Sequence, residues 1–211
     1  MTGYQYKALT YTLVKTPTIS SNSRYTKTGA NRHLIKFAIS EDAKVTVAIK
    51  DAANKTVRNI QYKADTAAGW HNVYWDGKDN TGNVVSSGDY NIYVIRYDAD
   101  GKYYYTQKKL TVSISKYPTI SSNSYYTREG TNKHLIKVDI AMPAKVSTCI
   151  KDASLKTVLY LENKVSHEDG RFSVYWDGKD KSGNDVPDGV YAIKYNDDGS
   201  YVYTRKKLTL N

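Results

Sequence analysis

The residues best suited to chemistry in this 211-residue chain come in pairs. Acids crowd the stretches "WDGKDNTG" at Trp75–Gly82 and "YDADG" at Tyr97–Gly101, and oxygen-rich loops of this kind are what Ca²⁺ takes as ligands. The spacing, however, lacks a twelve-residue loop closed by Glu, so turn formation accounts for these carboxylates better than metal binding. His33 and His134 stand at the same point of an internal repeat, which leaves one imidazole per unit where a metal centre needs several ligands. The "SSNS" serines lack the partnered His and Asp of a nucleophile motif, and neither a nucleophile elbow nor a zinc-protease motif occurs. No catalytic, metal-ligating or cofactor-binding residue is therefore assigned, and the chain is read as non-enzymatic.

A second set mixes aromatic rings with cations. "KYYYTQKK" at Lys102–Lys109 and "SYVYTRKK" at Ser200–Lys207 interleave Tyr with Lys and Arg, as a glycan surface or a single-strand nucleic-acid platform does. The plainer account is an edge strand whose lysines discourage sheet-to-sheet association. If the first stretch does touch a polyanion, Lys102, Tyr103, Tyr105, Lys108 and Lys109 are the candidate contacts. The chain carries a net charge of +10, with 21 Tyr against 2 Phe. Residues 1–116 hold 17 basic and 9 acidic side chains, whereas residues 117–211 hold 14 and 12. An anionic partner such as a cell-wall polymer is thus expected on the first half; nucleic acid is disfavoured. No apolar run approaches the ~20 residues of a membrane helix, and Met1 leads into polar residues without a basic-then-apolar leader. One cysteine, Cys149, cannot form an internal disulfide.

The elements that position these residues are written twice. "PTISSNS" at Pro17 returns at Pro118, "HLIK" at His33 returns at His134, and "VYWDGKD" at Val73 returns at Val174, each offset by 101. Toward the end the offset becomes 98, and a three-residue deletion between Tyr90 and Tyr97 would explain it. The expected organisation is one repeat over 17–116 and a second over 117–211, following an extra N-terminal segment over 1–16. That segment aligns "LTYTLVKTPTI" with "LTVSISKYPTI" and so resembles the last strand of a preceding repeat. Its alternating Leu9, Tyr11 and Leu13 are candidate contacts for strand addition to a neighbouring copy.

Within a repeat the apolar period is two. Ile35, Phe37 and Ile39 share a face, as do Val45, Val47 and Ile49, and Ile136, Val138 and Ile140 repeat the pattern. Gly, Asn and Asp clusters separate the runs, so about seven short strands per repeat predict an all-β fold of two tandem Ig-like or fibronectin-III-like antiparallel sandwiches. Trp75 falls on the inward parity of its strand, Asp76 is placed to accept from the backbone N–H groups after it, and Gly77 permits a tight turn. Asp79 and Gly82 extend that loop, and Gly88 with Tyr90 resembles a tyrosine corner. Trp176, Asp177, Gly178, Asp180, Gly183, Gly189 and Tyr191 are the second-copy counterparts. These residues are read as structural.

The ordered set of Asp51, Gly69, His71, Trp75, Asp76, Gly77, Gly82, Val85, Gly88 and Tyr90 resembles the FlgD-type Ig-like module of the flagellar hook-capping protein and of bacterial secreted and surface proteins. The second copy supplies Asp152, Gly170, Trp176, Asp177, Gly178, Gly183, Val186, Gly189 and Tyr191. Phe172 stands where the family has His, and neither copy has the family's Gly after the first Asp turn. The resemblance implies a non-catalytic rigid spacer, assembly module or fibre subunit outside a bacterial cell, partnered by other modules of a larger protein or further copies of itself. The alternative is a binding module for an anionic polysaccharide, a wall polymer or nucleic acid.

Overall fold

A computed structural model describes the backbone of residues 14–197 and 203–211, and the side chains of 14–188 and 204–211. The described elements are all strands: β1 (Thr18–Ser21), β2 (Arg24–Lys27), β3 (His33–Ile39), β4 (Ala43–Asp51), β5 (Thr56–Thr66), β6 (Gly69–Trp75), β7 (Gly88–Tyr97) and β8 (Tyr103–Ile114) in the first repeat. The second repeat contributes β9 (Thr119–Ser122), β10 (Tyr125–Tyr126), β11 (His134–Ile140), β12 (Ala144–Lys151), β13 (Thr157–His167), β14 (Gly170–Trp176), β15 (Gly189–Asp197) and β16 (Tyr203–Leu210).

Each repeat builds a three-stranded sheet, β1-β3-β6 or β9-β11-β14, and a five-stranded sheet, β2-β8-β7-β4-β5 or β10-β16-β15-β12-β13. The all-β Ig-like expectation holds, with eight strands per repeat where about seven were expected. The difference arises at the start, where the mostly polar stretch from Thr18 to Lys27 forms two short strands that join different sheets. In the second repeat β10 runs parallel to β16 while β11 pairs antiparallel with both β9 and β14.

By packing, the chain resolves into two compact units. The first takes the described residues up to Ser23 with Leu34–Asn83 and Asp89–Thr111; the second takes Arg24–His33, Val84–Gly88 and Val112–Asn211. In the first, alternation sends Ile35, Phe37 and Ile39 inward to meet Val45, Val47, Ile49, Ile92, Val94 and Leu110. The second core gathers Ile136, Val138, Ile140, Val146, Ile150, Trp176 and Leu208. The central strands β4 and β12 are buried on both faces, so Thr46 and Ala48 in one and Ser147, Thr148 and Cys149 in the other are covered as well. Small residues suit that position because larger neighbours lie across them, as Tyr93 does beside Ala48.

The register corrects the position expected for the three-residue deletion. Strand β15 pairs with β12 from Lys151↔Ala192 to Val146↔Asp197, and β7 pairs with β4 through the corresponding Lys50↔Asn91 and Val45↔Arg96. The offset of 101 therefore persists to Asp197, and the shortening falls in the connection between β15 and β16. Loss of an odd number of residues inside a strand would turn every following side chain to the opposite face, whereas a hairpin end absorbs it.

Candidate functional site

The duplicated Trp-Asp-Gly loop begins where β6 and β14 end. Trp75 is 1% exposed, and its indole Nε1 donates to the Lys78 carbonyl oxygen at 2.8 Å; Trp176 donates to Lys179 at the same distance. Asp76 Oδ1 accepts from the Lys78 N–H at 3.1 Å, and Asp177 Oδ1 does so from Lys179 at 3.1 Å. Gly77 and Gly178 adopt φ of 76° and 80°, which bends the chain back under the indole.

The next aspartate organises the loop tip. Asp79 Oδ1 accepts from the Thr81 N–H at 2.9 Å, the Thr81 hydroxyl at 2.7 Å and the Asn83 N–H at 3.0 Å. Asp180 Oδ1 accepts from the N–H groups of Ser182 and Asn184 at 2.8 and 2.9 Å. Gly82 and Gly183 close the same turns by donating to the carbonyls of Asp79 and Asp180. The Thr81 hydroxyl holds the Asp79 carboxyl below the ordinary carboxylate range against a smaller opposing effect of burial, with backbone N–H groups adding to it. For Asp180 the Asn184 backbone N–H is the leading cause of the same depression. Both groups are anions held by their own loop, suited to anchoring a turn and unsuited to delivering a proton near neutral pH. Among the described residues no group of three His, Cys, Asp or Glu side chains is placed to hold a metal ion.

Gly88 opens β7, and the Tyr90 ring lies 5.9 Å from that of Trp75. Gly189 and Tyr191 lie in β15, where only the backbone is described. Leu9, Tyr11 and Leu13 fall outside the described residues. His33 and His134 are buried beside Tyr25 and Tyr126, with ring centroids 5.5 and 5.4 Å apart. Cys149 is buried and is not part of a disulfide.

Two further phenol ties emerge from the structure. Tyr25 donates from its hydroxyl to the Asn31 carbonyl at 2.8 Å, and Tyr126 donates to Asn132 at 3.0 Å. Asn31 and Asn132 in turn donate from their amides to Thr26 and Thr127, stapling the loops between β2 and β3 and between β10 and β11. The sequence signal was the repeated Tyr and Asn six residues apart.

The aromatic-basic stretch divides by strand parity. Tyr103 and Tyr105 stand exposed on one face of β8 with Lys109, while Lys108 takes the opposite parity and is half-buried. Lys102 and Lys109 pair with Asp100 at 3.2 Å and Asp89 at 2.8 Å. Beside Tyr103 and Tyr105 the fold brings Tyr97 and Tyr93, at ring separations of 6.3 and 5.8 Å. Lys63 Nζ lies 5.1 Å from the Tyr97 ring and Lys50 Nζ 4.6 Å from that of Tyr93. Sequence reasoning missed these four partners. Tyr93 and Tyr97 stand four residues apart in β7 and so share a face, but the strand that lies beside them is set by tertiary pairing.

An open cleft of about 930 Å³ lies elsewhere in the first unit, among Lys15, Glu41, Asp65, Arg96 and Asp98. Arg96 is buried there and ion-pairs with Glu41 and with Asp98, at 2.7 Å for the latter; Lys15 reaches Asp98 at 2.9 Å. The Lys15 ammonium bonded to it holds the Asp98 carboxyl below its ordinary range. These charges pair with one another, while Arg96 Nε is buried without a hydrogen-bond partner.

Comparison with known proteins bears on this geometry. The family model of the FlgD Ig-like domain matches residues 21–104 and 122–200. The basal-body rod modification protein FlgD of Buchnera aphidicola subsp. Acyrthosiphon pisum is 43% identical over 74 residues, or 35% of this chain and 29% of that protein. The chain thus spans under a third of the length of that curated relative. Among solved structures, FlgD from P. aeruginosa is 24% identical, covering 47% of this chain and 77% of that one at a TM-score of 0.36. Dimeric latent PorU from Porphyromonas gingivalis is 14% identical, covering 92% and 20% at a TM-score of 0.39.

Proposed function

The chain belongs to the FlgD Ig-like domain family, and from that premise we propose that it is a non-catalytic structural or assembly module on the exterior of a bacterial cell. In the finer form of the reading it is a tandem Ig-like spacer or fibre subunit that joins other modules of a larger protein or further copies of itself. The observation that supports it most is the duplication of the Trp-Asp-Gly loop with its hydrogen bonds. Two loops with near-identical donors, acceptors and distances serve the fold in both repeats. A scaffold used in both repeats requires the same bonds in each copy, and these bonds are present in both. The curated relative is a basal-body rod modification protein by name. What this chain shares with it is Ig-like sequence, so a part in assembly is the portion of that role carried over.

Sedimentation velocity across a concentration series, with electron microscopy of the same samples, tests the fibre form. Full-length chain is expected to form head-to-tail assemblies that disappear on deletion of residues 1–14, while both repeats still melt cooperatively. A full-length chain that stays monomeric at high concentration would remove the fibre subunit and leave the spacer. Turnover of a substrate that is abolished by Asp79→Asn in a folded protein would overturn the non-catalytic reading altogether.

A further inference from the structure

We propose that the outer face of the first repeat's five-stranded sheet binds a linear acidic polysaccharide, through Tyr93, Tyr97, Tyr103 and Tyr105 with the ammonium groups of Lys50 and Lys63. This goes beyond a structural or assembly role and does not depend on it.

The platform is assembled from four strands, β4, β5, β7 and β8, and the turn that carries Asn54. Tyr105 stacks on Tyr93 with 25° between the rings, and Tyr103 leans on Tyr97 at 49°. Tyr93 is the fixed floor: it is buried, and its hydroxyl donates to Asn54 Oδ1 at 2.8 Å. Tyr103 and Tyr105 are the accessible faces, at 62% and 51% exposure. Ala48, opposite Tyr93 in the ladder, is small enough to let the ring lie flat over the sheet.

A β-bulge supplies one of the cations. The register between β4 and β5 slips between Val45↔Ala64 and Val47↔Gln61, and Lys63 adopts φ of 44° there. Its N–H is held by the Thr46 hydroxyl oxygen at 3.0 Å. Bulges re-aim side chains. This one carries the Lys63 ammonium over Tyr97 and, at 5.8 Å, over the exposed Tyr62. Lys50 approaches from the other end of the face.

Charge and chemistry together choose the ligand. Of the acids on or beside this face, Asp100 is matched by Lys102, Asp89 by Lys109 and Asp65 by Lys44, while Asp51 accepts from the Ala53 and Lys55 N–H groups of its own turn. Among the described residues Lys50 and Lys63 have no carboxylate partner, so two cations without an ion pair accompany four rings, one pair stacked and the other tilted. A nucleic acid brings one phosphate for every base and rewards a denser array of cations. A polysaccharide with a carboxylate on alternate sugars matches the observed ratio. Tyrosine also suits it, since the ring takes the apolar face of a sugar while the phenol exchanges hydrogen bonds with its hydroxyls.

Among the described residues and ladder positions the second repeat differs from the first. It keeps the bulge, with Lys164 at φ of 56° bonded to Ser147, but Asn163 replaces Tyr62 and Lys194 takes the ladder position of Tyr93. The basic excess of the first half falls on the same repeat as the rings.

Affinity electrophoresis and calorimetry of the full chain would use hyaluronate as the probe, because it carries one carboxylate per disaccharide, with dextran and oligo-dT for comparison. Hyaluronate is expected to bind more tightly than either. Tyr103→Ser with Tyr105→Ser should weaken it by about tenfold or more, on the scale of two lost stacking contacts. Lys50→Gln with Lys63→Gln should weaken it and lower the salt dependence by roughly two charges. Tyr175→Ser, on the second repeat, should leave it unchanged. All variants should retain the melting temperature of the parent. Absence of hyaluronate binding, full retention of binding in both double variants, or tighter binding of oligo-dT would each overturn the proposal.

Discussion

The indole of Trp75 and the carbonyl of Lys78 close a three-residue loop through a 2.8 Å hydrogen bond, and Trp176 and Lys179 close its copy. A large apolar ring is thereby buried with its polar edge satisfied, and the chain leaves the core in a fixed direction.

Trp75→Phe keeps an aromatic ring but leaves the Lys78 carbonyl without that donor and vacates volume. Destabilisation of about 1–3 kcal/mol is expected by urea unfolding. Trp176→Phe should cost a similar amount because its bond is the same. No change in either variant would show that the ring alone holds the loop.

Asp76→Ala and Asp177→Ala each remove an acceptor for the backbone N–H two residues on. The expected loss is about 0.5–2 kcal/mol, as for other side-chain caps of backbone donors. Any partner binding should survive in protein that remains folded. Unaltered melting combined with abolished binding would mark these aspartates as a ligand site.

Leu155 sits at φ of 63°, where the related turn of the first repeat has Asn54 at the same angle. Left-handed backbone costs a branched side chain about 1–2 kcal/mol, and Gly removes that strain at some expense in unfolded-chain entropy. Leu155 is half exposed, so little burial is lost. Leu155→Gly should therefore raise stability by a few tenths to about 1 kcal/mol. Asn54→Gly should not, because it also removes the acceptor of the Tyr93 hydroxyl. Thermal melts of the two variants compare them directly, and a destabilised Leu155→Gly would contradict the strain argument.

Burial, with a smaller contribution from Lys206, lowers the pKa of His134. The imidazole packs beside the Tyr126 ring, and it is burial together with the positive charge of Lys206 that favours its neutral form. Between the folded pKa and the ordinary value near 6.5 the unfolded chain binds more protons, so stability rises with pH across that window. The contribution is complete above about pH 6.5, declines as pH falls, and stops changing once the folded imidazole is also protonated. His134→Gln should flatten this slope in unfolding curves taken from pH 7 to 5. An unchanged slope would place the titration elsewhere.

Much of this architecture was determined by residues a few positions apart. Alternation in "HLIKFAI" chose the inward face of β3, Asp-Gly chemistry marked the turns, and Trp75 with Asp76 defined its own loop, because each depends on geometry within one strand or turn. The tertiary structure decided what those local units meet. It set Tyr103 beside Tyr97 and used a bulge at Lys63 to carry an ammonium over both Tyr62 and Tyr97. It divided the lysines of one stretch between two faces and moved the deletion to a hairpin end. These outcomes rest on which strands pair and in what register, a choice made by burial over the whole sandwich. Neighbouring residues in the chain carry no record of it.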